Sequence, residues 1–335
     1  MKLGLPAHPS ILVLGCGSIG ERHVRTLLAT GRAQVVACDN RAEIRTAMAE
    51  RYGVATVADW TAALERPELT GVVIAAPAPL HIPCAARALT AGLHVLTEKP
   101  LSLDLTGVDE LIAARDRAGR FAAVAYVLHF VPALQAARQF LRGGAFGEVL
   151  HVAVNTGQHF PLFRPAYREI YYRDHAQGGG AIQDALTHSA NAVEWVVGPT
   201  SRVYCDAAHQ MLEGVSVEDT VNVAARNGRA LVNYALNQFQ APNETRWDFH
   251  GETGSVRVEV HAQRWGTLAR GQSEWRWHAA PVTERDDLFV AQAQAFLDGC
   301  DGRPQPLCTL EEGRQTLRFN LACLRSWREN LPVAL

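Results

Sequence analysis

The sequence is nearly without lysine. Of its 32 basic residues only two are lysines, Lys2 and Lys99, and arginine has taken every other position of positive charge. Close cysteine pairs are missing as well. Cys16, Cys38, Cys84, Cys205, Cys300, Cys308 and Cys323 are scattered and odd in number. That pattern argues against a disulfide framework and fits reduced thiols used as small core residues. No zinc-type ligand spacing is present, so no metal is expected. No apolar run is long enough to cross a bilayer. A formal net charge of -2 gives no reason to invoke nucleic acid or an anionic membrane. The opening MKLGLPAHPSILVLGCG is too broken by Pro6, Pro9 and its glycines to read as a signal peptide, and serves better as a first strand. A cytoplasmic location is expected. Neither an internal repeat nor a low-complexity tract occurs.

What is present is an ordinary globular composition, 48% hydrophobic and 20% charged, over 335 residues. That length exceeds what one core usually serves, so two domains are expected. In the first third, apolar runs alternate with helical patterns: SILVLG, QVVACD, GVVIAA, LHVLTEKP and RFAAVAYVL as strands, with helices between them. Near-continuous apolar strands separated by helices predict a parallel, doubly wound sheet. After Pro132 the rhythm changes. A helix and the alternating strand EVLHVAVNT precede a polar and aromatic stretch from Gly157 to Gly180, then a strong helix from Ala181 to Val197. Strands near 201–208, 217–227, 229–239 and 244–260 follow, then helices near 285–298 and 309–327. The expected fold is α/β: a Rossmann domain over 1–128, then an α+β domain over 129–335 built on a large, mostly antiparallel open sheet.

GCGSIG, residues 15–20, fits G-x-G-x-x-G between a strand and a helix, the context a dinucleotide needs. Gly15 permits the tight turn, Gly17 lets backbone approach a pyrophosphate, and Gly20 lets the helix pack closely. The N–H groups of Ser18 and Ile19 face the phosphates. Asp39 ends the second strand, placed to bind both ribose hydroxyls of NAD and to repel a 2′-phosphate. Arg41 softens that preference, so NAD is expected ahead of NADP.

Lys99, in TEKPL, lies just past the carboxyl end of a predicted parallel strand, where ligands of open α/β sheets bind. Arginine keeps its charge permanently, whereas a lysine can share its proton. A surface lysine of no consequence is the plain alternative. On the later helix, Asp184 and His188 are four residues apart and share a face with Asn191. A carboxylate beside an imidazole orients it and raises its basicity, as a general base requires, although an ordinary polar face has the same appearance. The glycines at 178–180 imply that something approaches the helix start closely.

Taken together, GxGxxG, then E-K-P behind a strand, then GGGxxxDxxxHxxxxxEWxxG resembles the Gfo/Idh/MocA family of NAD(P)-dependent oxidoreductases over nearly the whole chain. The resemblance implies that Lys99, Asp184 and His188 line the site between nicotinamide and substrate, and that Glu98 belongs to the cofactor motif. It further implies that the AAPAPLH loop packs near the nicotinamide ribose through Ala76, Pro77 and His81. Two positions depart from the family pattern: Asn191, where an aspartate is common, and His129, where an arginine is usual.

The expected reaction is oxidation of a secondary hydroxyl on a sugar, polyol or glycoside, the substrate class being implied by the family alone. The stretch 157–177 offers His159, Arg164, Tyr167, Arg168, Tyr171 and Tyr172 for stacking and hydrogen bonding to a carbohydrate. An uncovered sheet face suits a homodimer or homotetramer. Two rival functions remain on the same fold: a redox-neutral glycosidase or epimerase holding NAD tightly, and a non-catalytic sensor.

Overall fold

A computed structural model describes residues 8–335. Along the chain, β1 (Ser10–Leu14) is followed by α1 (Ser18–Ala29), β2 (Gln34–Cys38), α2 (Ala42–Tyr52), β3 (Ala55–Val57) and the single turn α3 (Trp60–Ala63). Next come β4 (Leu69–Ile74), α4 (His81–Thr90), β5 (His94–Thr97), α5 (Val108–Ala118) and β6 (Ala122–Val124). The middle of the chain holds α6 (Pro132–Arg142), β7 (Val149–Gly157), the short α7 (Phe160–Phe163) and α8 (Thr187–Val197). It continues with β8 (Thr200–Ala208), β9 (Thr220–Asn227), β10 (Ala230–Asn237) and β11 (Glu244–Gly251). The last elements are β12 (Gly254–Glu259), β13 (Arg264–Ala269), β14 (Arg276–Ala279), α9 (Arg285–Cys300), β15 (Cys308–Thr309), α10 (Leu310–Glu329) and β16 (Val333–Ala334).

The chain divides into two compact units. One runs to Val127 and takes back Glu284–Gly313; the other comprises Leu128–Thr283 and Arg314–Leu335. A single cut between Val127 and Leu128 does not describe the chain. The returning segment joins the first unit because α9 packs on α1, where Arg22 and Arg25 both pair with Asp286 at 3.1 and 2.6 Å. Linear patterning carries no sign of that return, since nothing in the sequence of α9 names the helix it packs on.

In the first unit the strands lie in the order β15-β6-β5-β4-β1-β2-β3, all parallel except β15, which runs antiparallel to β6. β1 is buried at every position, as a central parallel strand covered on both faces must be. The alternation of β and α follows from that demand, because each crossover lays a helix on a sheet face. β3 and β15 are too short to announce themselves in sequence.

In the second unit the order is β14-β13-β12-β11-β7-β10-β9-β8-β16. β7 and β10 are parallel neighbours, and the other pairings are antiparallel. The apolar partners alternate cleanly: Val232, Tyr234 and Leu236 of β10 point into the core, while Leu231 and Asn233 point outward. Each fully buried side chain of that size contributes about 1.5–3 kcal/mol. The stretch 244–260, expected as one strand, is a hairpin of β11 and β12, and β13 and β14 extend the sheet beyond it. Phe160, Tyr167, Tyr172, Leu212 and Val217 form a small second core. Among the described residues no helix is long and apolar enough to cross a membrane, and all seven cysteines are free thiols.

Candidate active site

The carboxyl edge of the parallel sheet collects the residues singled out in the first unit. Gly15 follows β1 with φ +86°, and its N–H donates to the Cys38 carbonyl at 2.8 Å. A Cβ there would press on the Ala75 carbonyl, and a Cβ on Gly20 would collide with the Gly15 carbonyl. Glycine at 15 and 20 is therefore required by the protein's own packing. Gly17 is different: a Cβ there would meet nothing within 4 Å. It is also the N-cap of α1, which has no side-chain cap. An open cradle at an uncapped helix N-terminus fits the pyrophosphate of a dinucleotide. Ser18 is exposed and Ile19 half-buried at that same turn.

Asp39 follows β2. Its Oδ2 accepts from the Cys16 N–H at 2.9 Å, and its Oδ1 accepts from the Arg41 N–H at 3.0 Å and the Arg41 guanidinium at 3.1 Å. Burial opposes the charge, but the bonds from Arg41 and Cys16 outweigh it and hold the carboxyl below its usual range. The carboxylate is thus fixed against the glycine loop, and Arg41 is committed to it. These residues fit NAD.

At the ends of β4 and β5 two loops are tied to each other. Ala76 is half-buried, Pro77 is exposed, and His81 is 2% exposed. His81 Nδ1 lies 2.8 Å from the Pro100 carbonyl and its Nε2 lies 2.9 Å from the Ala76 carbonyl. Burial pushes its pKa down. Both nitrogens face backbone carbonyls, to one of which the neutral ring donates, so the ring is turned to the protein rather than to a ribose. His81 ties the AAPAPLH loop to the turn carrying Lys99. Glu98 departs from expectation in the same way: it is buried, with Oε1 2.8 Å from His23 Nε2 and Oε2 accepting from the Lys99 N–H at 3.1 Å. It faces the interior of the unit. Lys99 itself is half-buried, just past β5.

In the second unit, the chain leading into α8 begins with a π turn at Ile182–Leu186, so the expected helix is regular only from Thr187. Turns of this kind concentrate at functional sites. Asp184 sits on it, 2% exposed. Its Oδ1 accepts from the Tyr171 hydroxyl at 2.5 Å and its Oδ2 faces Arg164 Nη1 at 3.4 Å. The Asp184 carboxylate in turn raises the pKa of Arg164. Arg164 thus ties the loop to the Asp184 turn. His188 is half-buried one turn further on. What approaches the glycines before the helix is the protein itself. The Tyr172 carbonyl lies against Gly179, and the buried Glu218 carboxylate lies against Gly180, accepts from the Ile182 N–H and pairs with His175.

Four expected substrate contacts are displaced, Tyr172 among them: it is 1% exposed, lies in the small second core and donates to the Glu218 carbonyl. Tyr167 is 1% exposed, belongs to the small second core and donates to the Glu213 carbonyl. Arg168 lies over its ring and donates to the same carbonyl, as a surface staple. Asn191 is buried and donates to Thr316 Oγ at 3.1 Å, which places it among the contacts of α10. His159 is half-buried at the start of α7. His129, which departs from the family pattern, is buried and stacks on Trp195 with ring centroids 4.2 Å apart. Sequence reasoning missed His23 altogether; its one signal is a histidine three residues after Gly20 on the inward face of α1.

Residues 10–126 match the profile of an oxidoreductase family described as an NAD-binding Rossmann fold, and residues 134–257 match the GFO/IDH/MocA C-terminal domain. The chain belongs to the Gfo/Idh/MocA family. It is accordingly an NAD(P)-dependent oxidoreductase. Relatives in this family include a 1,5-anhydro-D-fructose reductase of Ensifer adhaerens, 26% identical and covering 94% of this chain and 95% of that protein. An inositol 2-dehydrogenase of Ralstonia nicotianae is 28% identical, over 87% and 85%. Among solved structures, a levoglucosan dehydrogenase in complex with NADH and levoglucosan superposes with a TM-score of 0.88 at 20% identity, over 98% and 99% of the two chains. That likeness is one of fold.

Proposed function

We propose that this Gfo/Idh/MocA oxidoreductase oxidises a secondary CH–OH of a sugar, polyol or glycoside with NAD. The observation that carries the reading is the near-full-length kinship to a sugar reductase and a polyol dehydrogenase, in a chain that keeps Lys99 behind β5 and the Asp184/His188 pair. NAD, when bound, supplies the nicotinamide carbon that accepts the hydride. Gly17 and the first N–H groups of α1 hold the phosphates, and Asp39 holds the ribose hydroxyls. Its carboxylate disfavours a 2′-phosphate, and the commitment of Arg41 to Asp39 supports NAD over NADP.

His188 takes the hydroxyl proton at its imidazole nitrogen. Asp184 keeps the imidazole oriented and its cation stabilised, while Tyr171 and Arg164 hold that carboxylate in place. Lys99 donates a hydrogen bond to the substrate oxygen and shares its proton, which an arginine cannot do. His159 and Arg164 are the polar groups left to meet carbohydrate hydroxyls from the loop. The outward face of the nine-stranded sheet, where Leu231 and Tyr204 are exposed, supports a homo-oligomer. Seven free thiols support a reducing, cytoplasmic setting.

The test is a screen of myo-inositol, levoglucosan, 1,5-anhydro-D-glucitol and simple glycosides with NAD, read as NADH release. Net NADH from a member of that panel is the expected result. Turnover of a glycoside with no net NADH would favour the redox-neutral reading, and NAD binding without turnover of any kind would favour a sensor.

A further inference from the structure

The first unit contains a buried contact chain that the reaction does not call for. Phe289 of α9 meets the His23 ring edge-on at 6.0 Å, His23 Nε2 lies 2.8 Å from Glu98 Oε1, and Glu98 Oε2 accepts from the Lys99 N–H. His23 is 2% exposed and Glu98 6%. Solvent therefore has almost no access to either, and a carboxylate in such a place persists only with donors supplied by the protein. A fold that merely needed to fill this space would use apolar side chains. We propose that His23 is a positioning residue for Lys99, acting through Glu98, which fixes the lysine backbone and places a negative charge beside its ammonium.

The other charged groups in this region are accounted for. His81, from the start of α4, senses both Glu98 and Lys99 but spends its nitrogens on the carbonyls of Ala76 and Pro100. From α9, Asp286 is taken by Arg22 and Arg25, and Arg22 lies over the Phe289 ring. His23 is the side chain of α1 that reaches Glu98.

The inference rests on the proposed role of Lys99, but its test does not need turnover. With only two lysines in the chain, reductive methylation with ¹³C-formaldehyde labels Lys99, Lys2 and the α-amine, which titrates at lower pH, and Lys2 serves as the reference. The probe is the pH midpoint of the Lys99 dimethylammonium signal. Glu98→Gln removes the neighbouring negative charge at constant shape and lowers the midpoint by about one unit. His23→Leu withdraws the donor that holds the Glu98 carboxylate in place, lets that charge move away from the lysine, and lowers the midpoint by a smaller amount. His23→Gln keeps a donor at the Nε2 position and restores the wild-type midpoint. An unshifted midpoint in either Glu98→Gln or folded His23→Leu would overturn the inference, and His23→Phe, which keeps an aromatic ring but has no donor, takes the place of His23→Leu if that variant does not fold. A catalytically idle Lys99 is a different failure, seen as unchanged turnover in Lys99→Arg while the midpoints still shift.

Discussion

Tyr171 donates its phenolic hydrogen to Oδ1 of Asp184 at 2.5 Å. An aromatic residue of a surface loop thereby satisfies a carboxylate that is otherwise shut away on a π turn. A hydrogen bond to a charged, buried acceptor is worth more than a neutral one. Tyr171→Phe should therefore cost about 1–2 kcal/mol of stability, measured by denaturant unfolding. A variant as stable as wild type would show that this hydrogen bond contributes nothing to the fold.

The glycine loop separates two kinds of glycine. Gly20→Ala drives a methyl into the Gly15 carbonyl, a backbone atom that cannot step aside, and should cost about 3 kcal/mol or more. Gly17→Ala meets open space and should cost no more than about 1 kcal/mol, the loss of a favourable N-cap residue. The same Gly17→Ala protein should bind NADH at least about tenfold more weakly, because the methyl occupies the cradle of the pyrophosphate. Fluorescence titration of NADH beside thermal unfolding distinguishes the two. Unchanged NADH affinity in folded Gly17→Ala would place the phosphates elsewhere.

Asp39 couples acidity to stability. Its folded pKa lies below the unfolded value, so its charge stabilises the fold above about pH 4, and that contribution disappears as pH falls through the folded value. Asp39→Asn should lose less stability than wild type between pH 5 and the acid transition, as measured by urea unfolding across that range. Asp39→Ala should also narrow the preference for NADH over NADPH in direct binding, since the group that repels a 2′-phosphate is gone. Equal acid sensitivity or an unaltered cofactor ratio would count against these roles.

The parts of this structure that were legible in sequence are those where a local rule decides. After Ser10, β1 is the unbroken apolar run Ile11–Leu14, the pattern of a strand covered on both faces. Gly15 answers to its own positive φ, and Gly20 to the nearby Gly15 carbonyl. What escaped depends on distant neighbours. Tyr167 and Asn191 are polar enough to read as site residues, yet Tyr167 fills the core with Phe160 and Leu212, and Asn191 is claimed by Thr316 of α10. His23 looked like a helix residue because its partner Glu98 is 75 positions away. The return of α9 to the first unit escaped for the same reason: its partner, Arg25, is 261 residues from Asp286.

The central claim is that Lys99 shares a proton, and so needs an ammonium. The most direct measurement is the turnover of Lys99→Arg beside wild type, on the substrate that the screen identifies, with NADH affinity measured on both proteins. The account predicts that Lys99→Arg binds NADH about as tightly as wild type and loses most of its turnover, by a hundredfold or more on the order of a general acid–base contribution. An arginine variant that turns over at the wild-type rate would contradict it.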